Sequence, residues 1–457
     1  MTEVFLREAS VFLIMRIQLS DHFGYRKLFR FTLPSILMIL FTSIYGVVDG
    51  LFISNYVGTT AFAAVNLIMP LLMITGSVGY MIGSGGSALV AKTMGEGDDA
   101  RANRLFTMMI RLSVILGVTL NLITYFLLRP VSLLFGAEGQ MLAFCVRYGT
   151  VIVCGGTFFI LQFVFQPFFV VAEQPRLGMW ITIAAGLTNI VGDLLLVGLL
   201  GLGLEGAALA SIASQIVGAV IPIIYFRGRN NSRIHLTTPE WDFRAILRTF
   251  SNGSSEMVTN VSLSLVNMLY NVKLMALAGQ NGVAAYGIIM YASFMFVSVY
   301  LGYAMGVMPV VGFHYGAQNR TELRSLLRHS CVILALLGIV FTSLAEIFAY
   351  PVTGIFVGYD PSLHGFSTHA FRIYMLAFFL SPFNIFASSF FTALNNGYVS
   401  ATISFSRLFL FQIGAILTLP LFFGVDGIWS AIIAAELLSL VVVTYFFLTR
   451  RRRYGYF

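Results

Sequence analysis

Apolar runs of twenty or more residues recur along the chain, separated by short clusters rich in Gly, Pro, Arg and Asp. A helix rising 1.5 Å per residue needs about 20 apolar residues to cross a hydrocarbon core of roughly 30 Å. Cutting the chain at its polar clusters predicts twelve spans, at about residues 31–54, 61–90, 104–128, 141–171, 178–200, 206–226, 251–277, 283–313, 325–348, 367–393, 399–423 and 427–449. They are numbered 1 to 12 below. Membrane β-strands would be about 10 residues long with alternating polarity, whereas these runs are long and apolar all round, so a barrel is excluded. The expected fold class is an all-α integral membrane protein.

Composition sharpens this picture. Of 457 residues, 58% are hydrophobic and 10% charged, and mean hydropathy is +0.88. Soluble domains carry about 25% charged residues, so a soluble fold, a disordered chain and a nucleic-acid partner are excluded. The net charge of +8 becomes a topology signal once its carriers are placed. Alternating loop assignment puts 21 of the 27 Lys and Arg on one side, including Arg26, Lys27, Arg101, Arg233, Arg324 and Arg450 to Arg453, and only Arg129 on the other. Basic loops stay cytoplasmic, so both termini are expected there, in a plasma (inner) membrane. Val11 to Met15 is too short for a signal peptide or a span, and no cleavage is expected. Met15 precedes a plausible cytoplasmic lead-in, so translation from Met15 is an alternative to Met1. Cys145, Cys154 and Cys331 form no CxxC pair, so neither a disulfide framework nor a metal site is indicated, and no cofactor is expected.

The chain also resembles itself at an offset of 221 residues. Gly58 matches Gly279, Ala63-Ala64 matches Ala284-Ala285, Gly95 matches Gly316, Pro130 matches Pro351, Ala172 matches Ala393, and Glu205-Gly206 matches Asp426-Gly427. The expected organisation is a cytoplasmic segment (residues 1–30), an N-lobe (31–226), a linker (227–250), a C-lobe (251–449) and a basic tail (450–457). Six spans per repeat give both halves the same orientation, so the pseudo-twofold axis should lie along the membrane normal with a cleft between two lobes. No Walker A, HExxH or GxSxG motif is present, which argues against ATP-driven transport and against an enzyme. Gly83-Ser84-Gly85-Gly86 lies within span 2 and reads as close helix packing through small residues.

Val48-Asp49-Gly50-Leu51-Phe52, then Gly58, Ala63 to Asn66 and Pro70, resemble the start of a multidrug and toxic compound extrusion (MATE) transporter. Gln166-Pro167 to Pro175-Arg176, Thr188 to Asp193, Gly206 to Ala210, Ala284 to Gly287 and Gly427 to Trp429 extend the resemblance over about residues 25–449. It implies a V-shaped pair of six-helix lobes that export small cationic or amphipathic compounds in exchange for H⁺ or Na⁺. Membrane lipids would be the only other partners, and the chain is expected to work as a monomer.

Carboxylates inside a bilayer cost several kcal/mol unless protonated, paired or hydrated, so each is a functional candidate. Asp49 lies roughly 27 Å along span 1 from its cytoplasmic end, and Asp193 roughly 22 Å along span 5. Asn189 precedes Asp193 by one turn on the same face. Span 6 descends from outside, and Ser211 reaches about the same level. The resemblance independently implies an Asp of span 1, Asn-x-x-x-Asp of span 5 and a hydroxyl of span 6 as the cation-coupling set. Span 4 offers Gln162 or Gln166 where the family has Asn, and depth favours Gln162. Two neighbouring acids in an apolar setting cannot easily both ionise, so Asp49 and Asp193 are expected to hold a proton, or a Na⁺ in its place. Pro34 interrupts the hydrogen bonding of span 1, and the resemblance implies bending there; helix capping or packing is the other reading.

The C-lobe does not duplicate this set, since adding 221 to Asp49, Asn189 and Asp193 gives Tyr270, Leu410 and Gly414. Arg407 and Glu436 are expected to neutralise each other across spans 11 and 12 as a structural or gating pair. Tyr45, Tyr270, Asn271, Met290, Tyr291 and Glu256 are candidate substrate-cleft residues, and Glu256 reads equally as a cytoplasmic-edge acid. Arg111, Arg147, Lys273 and Arg372 read as snorkelling or locally paired, and Glu346 stays unassigned. A lipid-linked oligosaccharide flippase shares this architecture, but its pyrophosphate cargo needs basic groups, and spans 1, 2, 7 and 8 hold only Lys273. A non-transporting membrane scaffold would leave the intramembrane Asp49 and Asp193 without a reason.

Overall fold

The computed structural model describes residues 17–456, and the question of the starting Met lies outside them. All regular structure among the described residues is helical. Among the described residues, eleven helices are long and apolar enough to cross a membrane. One of them, Phe243–Gly316, has 74 residues and would measure about 110 Å if straight, over three bilayer cores. It breaks at Gly279 (φ 60°, ψ −150°), at the boundary expected between spans 7 and 8. The last helix, Pro420–Tyr454, breaks likewise at Gly424, between spans 11 and 12.

Helices outrun the apolar runs at their basic ends. Span 1 starts at Tyr25, the linker contracts to residues 228–242, and the final helix continues through Arg450 to Arg453. Hydrophobicity marks the hydrocarbon core, but backbone hydrogen bonding continues into the interface until a cap or a left-handed residue stops it.

The stops repeat. Left-handed backbone occurs in pairs at Gly58 and Gly279, Gly97 and Gln318, Glu173 and Asn395, and Gly203 and Gly424, each pair 221 or 222 residues apart. The helix caps follow the same register: Asp98 accepts from the Arg101 amide at 2.9 Å and Asn319 from the Glu322 amide at 3.1 Å. The internal repeat is thus present in backbone geometry as well as in residue identity.

The two halves share one apolar core at the end that carries the basic loops, where Leu89, Phe106 and Phe168 join Val307, Leu326 and Phe390. Toward the other end the cores separate, one around Ile68, Tyr148 and Leu204 and one around Tyr270, Phe371 and Trp429. The seam is made by small residues. A Cβ on Gly85 would collide with the Thr249 carbonyl, one on Gly253 with the Met81 carbonyl, and one on Gly302 with the Ile36 backbone beside Pro34. Ser43 and Ser298 hydroxyls bond across it at 2.7 Å. The helix of span 1 runs unbroken through Pro34, whose ring is buried at this contact. Gly253→Leu is expected to cost roughly 1–3 kcal/mol by overpacking the seam, read as a lowered thermal midpoint in detergent. Gly287→Ala, inside the helix where a Cβ meets nothing within 4 Å, should not lower the midpoint and should raise it slightly.

Candidate functional site

Spans 1 to 6 enclose a cavity of about 150 Å³ whose wall is mostly apolar, with Leu72, Ile152 and Phe159 beside a few polar groups. Asp49 enters from span 1, Asn189 from span 5, and Ser211, Ser214 and Gln215 from span 6. Asp193 lies fully buried one turn beyond Asn189, with its carboxyl group near enough to that of Asp49 for the two to interact. Asn189 Nδ2 donates to Ser211 Oγ at 3.4 Å. The structure therefore brings Asp49, Asn189, Asp193 and Ser211 together from three spans.

The chemistry of the cluster is one-sided. Asp49 Oδ1, both Asp193 oxygens, Asn189 Oδ1 and Gln215 Oε1 are buried acceptors with no hydrogen-bond partner. Buried acceptors without donors each cost about 1–3 kcal/mol, more when charged. A proton shared between the two carboxyl groups would supply one missing donor, and a small hard cation would satisfy several oxygens at once. Among the described residues no three His, Cys, Asp or Glu side chains group as a metal site.

Gln162 is not in this wall. It sits in a second, much smaller cavity of about 10 Å³ with Gln166 and Thr182, packed against Gly218, and it contacts Tyr45. Depth along a helix fixes level but not rotation, and Gln162 has the right level on a neighbouring face. Tyr148, Asn121, Thr124 and Gln215 line the main cavity instead and were not anticipated. Gln215 follows Ser211 by one turn, and Asn121 and Thr124 are an i, i+3 pair, so Gln215 and Asn121 carry a signal in the sequence as intramembrane amides.

The candidate cleft residues do not converge. Tyr45 lines the N-half cavity. Tyr270 is fully enclosed in the C-half core, stacked on Tyr286 with centroids 4.7 Å apart, so it walls no cleft and occupies with aromatic packing the place equivalent to Asp49. Asn271 is exposed, Met290 is half-buried, and Tyr291 stacks outward on Phe356 at 6.0 Å. Glu256 lies at the seam beside Ser84 of span 2.

Three further pairs of opposite charge form, one of them buried. Arg407 donates to Glu436 through Nε at 2.9 and 3.1 Å and through Nη2 at 2.6 Å, while Ser381 Oγ and Asn384 Nδ2 complete the carboxylate at 2.8 and 2.6 Å. Arg147 bonds Glu205 at 2.7 Å, and Arg372 approaches Glu346 at 3.8 Å, which gives Glu346 a partner.

The MatE family model matches the chain twice, over residues 34–195 and 256–417, two matches whose starts are 222 residues apart. The multidrug export protein MepA of Staphylococcus saprophyticus is 24% identical over 436 residues, covering 94% of each chain. Its counterpart in Staphylococcus aureus is 23% identical over 441 residues with the same coverage. Among solved structures, a MATE protein in complex with MaL6 superposes with a TM-score of 0.89 at 22% identity, covering 96% of this chain and 97% of that one. With a tandem family match, an internal repeat of the same period and a shared fold, the chain belongs to the MatE family of multi-pass membrane transporters.

Proposed function

We propose that the protein is a secondary active antiporter that exports organic cations and other drugs in exchange for H⁺ or Na⁺, coupled through Asp49 and Asp193. The observation that carries this reading is the donor-free set of buried oxygens around the N-half cavity, in a chain of a multidrug efflux family. Twelve spans in two lobes, related by a pseudo-twofold along the membrane normal, work by alternating access in the plasma membrane with both termini in the cytoplasm. The chain acts as a monomer and as a carrier, without an enzymatic step.

The common core at the basic end and the separate cores beyond it correspond to a cleft open to the outside. In that state a proton or Na⁺ from outside reaches the acid pair and supplies the missing donor or ligand. A cationic substrate held in the cleft then loses its electrostatic attraction and leaves. Tyr45, one turn from Asp49, is placed to sense the change, and Glu256 at the seam gives the cleft floor a negative group for cationic cargo. The seam beside Pro34 is where span 1 would bend.

Dye efflux from proteoliposomes, with pH and Na⁺ gradients imposed separately, tests the proposal. Efflux should rise several-fold with one inward gradient and stay at background with neither. Equal efflux with and without both gradients would remove ion coupling.

A further inference from the structure

The segment ahead of span 1, residues 17–24, crosses the seam between the two halves at the basic end. It forms a tight turn closed by the Gln18 amide on Asp21 Oδ2 at 2.9 Å, and it buries Leu19 and Phe23 completely in the shared core. Leu19 N donates to Glu173 Oε1 at 3.0 Å, in the loop between spans 4 and 5 of the first half. Four residues on, Phe23 N donates to Glu322 Oε1 at 2.8 Å, His22 Nδ1 meets Glu322 Oε2 at 2.6 Å, and the Phe23 carbonyl meets His329 Nδ1 at 2.9 Å, all on span 9 of the second half. Two carboxylates, each only 5% exposed, therefore grip one short segment from opposite sides of the seam.

The repeat explains what this segment is. The linker at residues 228–242 precedes span 7 as residues 17–24 precede span 1, and it lies along span 3 as they lie along span 9. His235 N donates to Asn103 Oδ1 at 2.7 Å, Arg233 bonds Asp99 at 2.8 Å, and Asp242 faces Arg101 at 3.7 Å. Arg101 and Glu322 are equivalent by the 221-residue offset, so the same helix position holds each connecting segment, through a side chain of opposite charge. The linker joins the halves covalently; the N-terminal segment joins them by hydrogen bonds and by the apolar packing of Leu19 and Phe23.

We propose that residues 17–24 are a releasable second linker, a latch that holds the basic ends of the halves together and must let go of Glu173 or Glu322 before they part. The inference rests on the alternating-access reading above. Release is reversible because water entering the parted seam rehydrates the carboxylates and the freed amides, which leaves a modest net cost per bond. Glu173 also keeps a left-handed backbone (φ 59°) that Asn, its counterpart at position 395, adopts more readily, so the side chain offsets a local strain.

The test is the distance between spin labels at Arg176→Cys and Arg324→Cys, on opposite sides of the seam, in the full chain with its three native cysteines changed to Ser. Glu322→Ala and Glu173→Ala should each raise the fraction with parted basic ends about tenfold, and Glu322→Gln, which keeps an acceptor, should raise it less. Asp99→Asn, which breaks a linker contact inside one half, should leave the distribution unchanged. An unchanged distribution in monodisperse Glu322→Ala and Glu322→Gln, or equal opening in Asp99→Asn, overturns the latch. Absence of a second distance in every variant and under every gradient overturns alternating access instead.

Discussion

Asp49→Asn and Asp193→Asn are each expected to reduce gradient-driven dye export in proteoliposomes by at least about tenfold, close to the rate of empty liposomes. An amide keeps the volume and one acceptor but cannot exchange a proton or balance a cation's charge. The loss should therefore appear in coupled transport and not in folding. Removing an ionisable group from a mostly apolar site relieves a desolvation cost, so thermal stability should be unchanged or slightly higher. If either variant transported at the wild-type rate, the acid pair would be structural. Ser211→Ala removes only a hydroxyl that accepts from Asn189 at 3.4 Å and should have a smaller effect.

Arg407→Met is the second large effect. It leaves Glu436, only 2% exposed, without its main charge partner, which costs about 3–5 kcal/mol and should lower the thermal midpoint in detergent sharply. Arg407→Met combined with Glu436→Leu removes both charges and should recover most of the loss. Little of the loss should remain, because Ser381 Oγ and Asn384 Nδ2 keep the backbone carbonyls of Ala377 and Glu436 as acceptors at 3.0 and 2.9 Å. A double variant no more stable than the single one would show that Arg407 stabilises the fold through other contacts. Transport retained by the double variant would assign the pair to structure and away from gating.

The distribution of apolar runs was enough to mark an all-helical membrane fold, because in a bilayer length and hydrophobicity are the physical requirement itself. Gly58 and Gly279 were visible as repeat markers, and their left-handed backbone is why that residue recurs there. The acids were legible for the same reason of cost: Asp49 and Asp193 had to be paired, protonated or functional. What the sequence did not convey was rotation about each helix axis. Gln162 and Gln215 are both intramembrane amides, and only the packing of spans 4 and 6 decides which one faces the cavity. Tyr270 was misjudged likewise, since an aromatic residue near a span end suits a cleft and a core equally well. Contacts such as that of Phe23 with Glu322, 299 residues apart, carry no local signature at all.

Three of the buried charges share a backbone setting. Asp49 stands one turn before the π-helical stretch Ile53–Val57, Asp193 directly before Leu194–Leu199, and Arg407 inside Ser406–Gln412. A π turn takes up more residues than an α turn, so side chains beyond it point about 100° away from where an uninterrupted helix would aim them. The ends of spans 1 and 5 far from the basic loops are thus out of phase with the portions near them. Deleting one residue from Leu194–Leu199 would restore α-helical phase and turn everything beyond it to a new face, while Asp193 itself stayed in place. These stretches are where the chain absorbs an inserted residue without shifting the acids, and where a twist about the helix axis can occur without tilting the span.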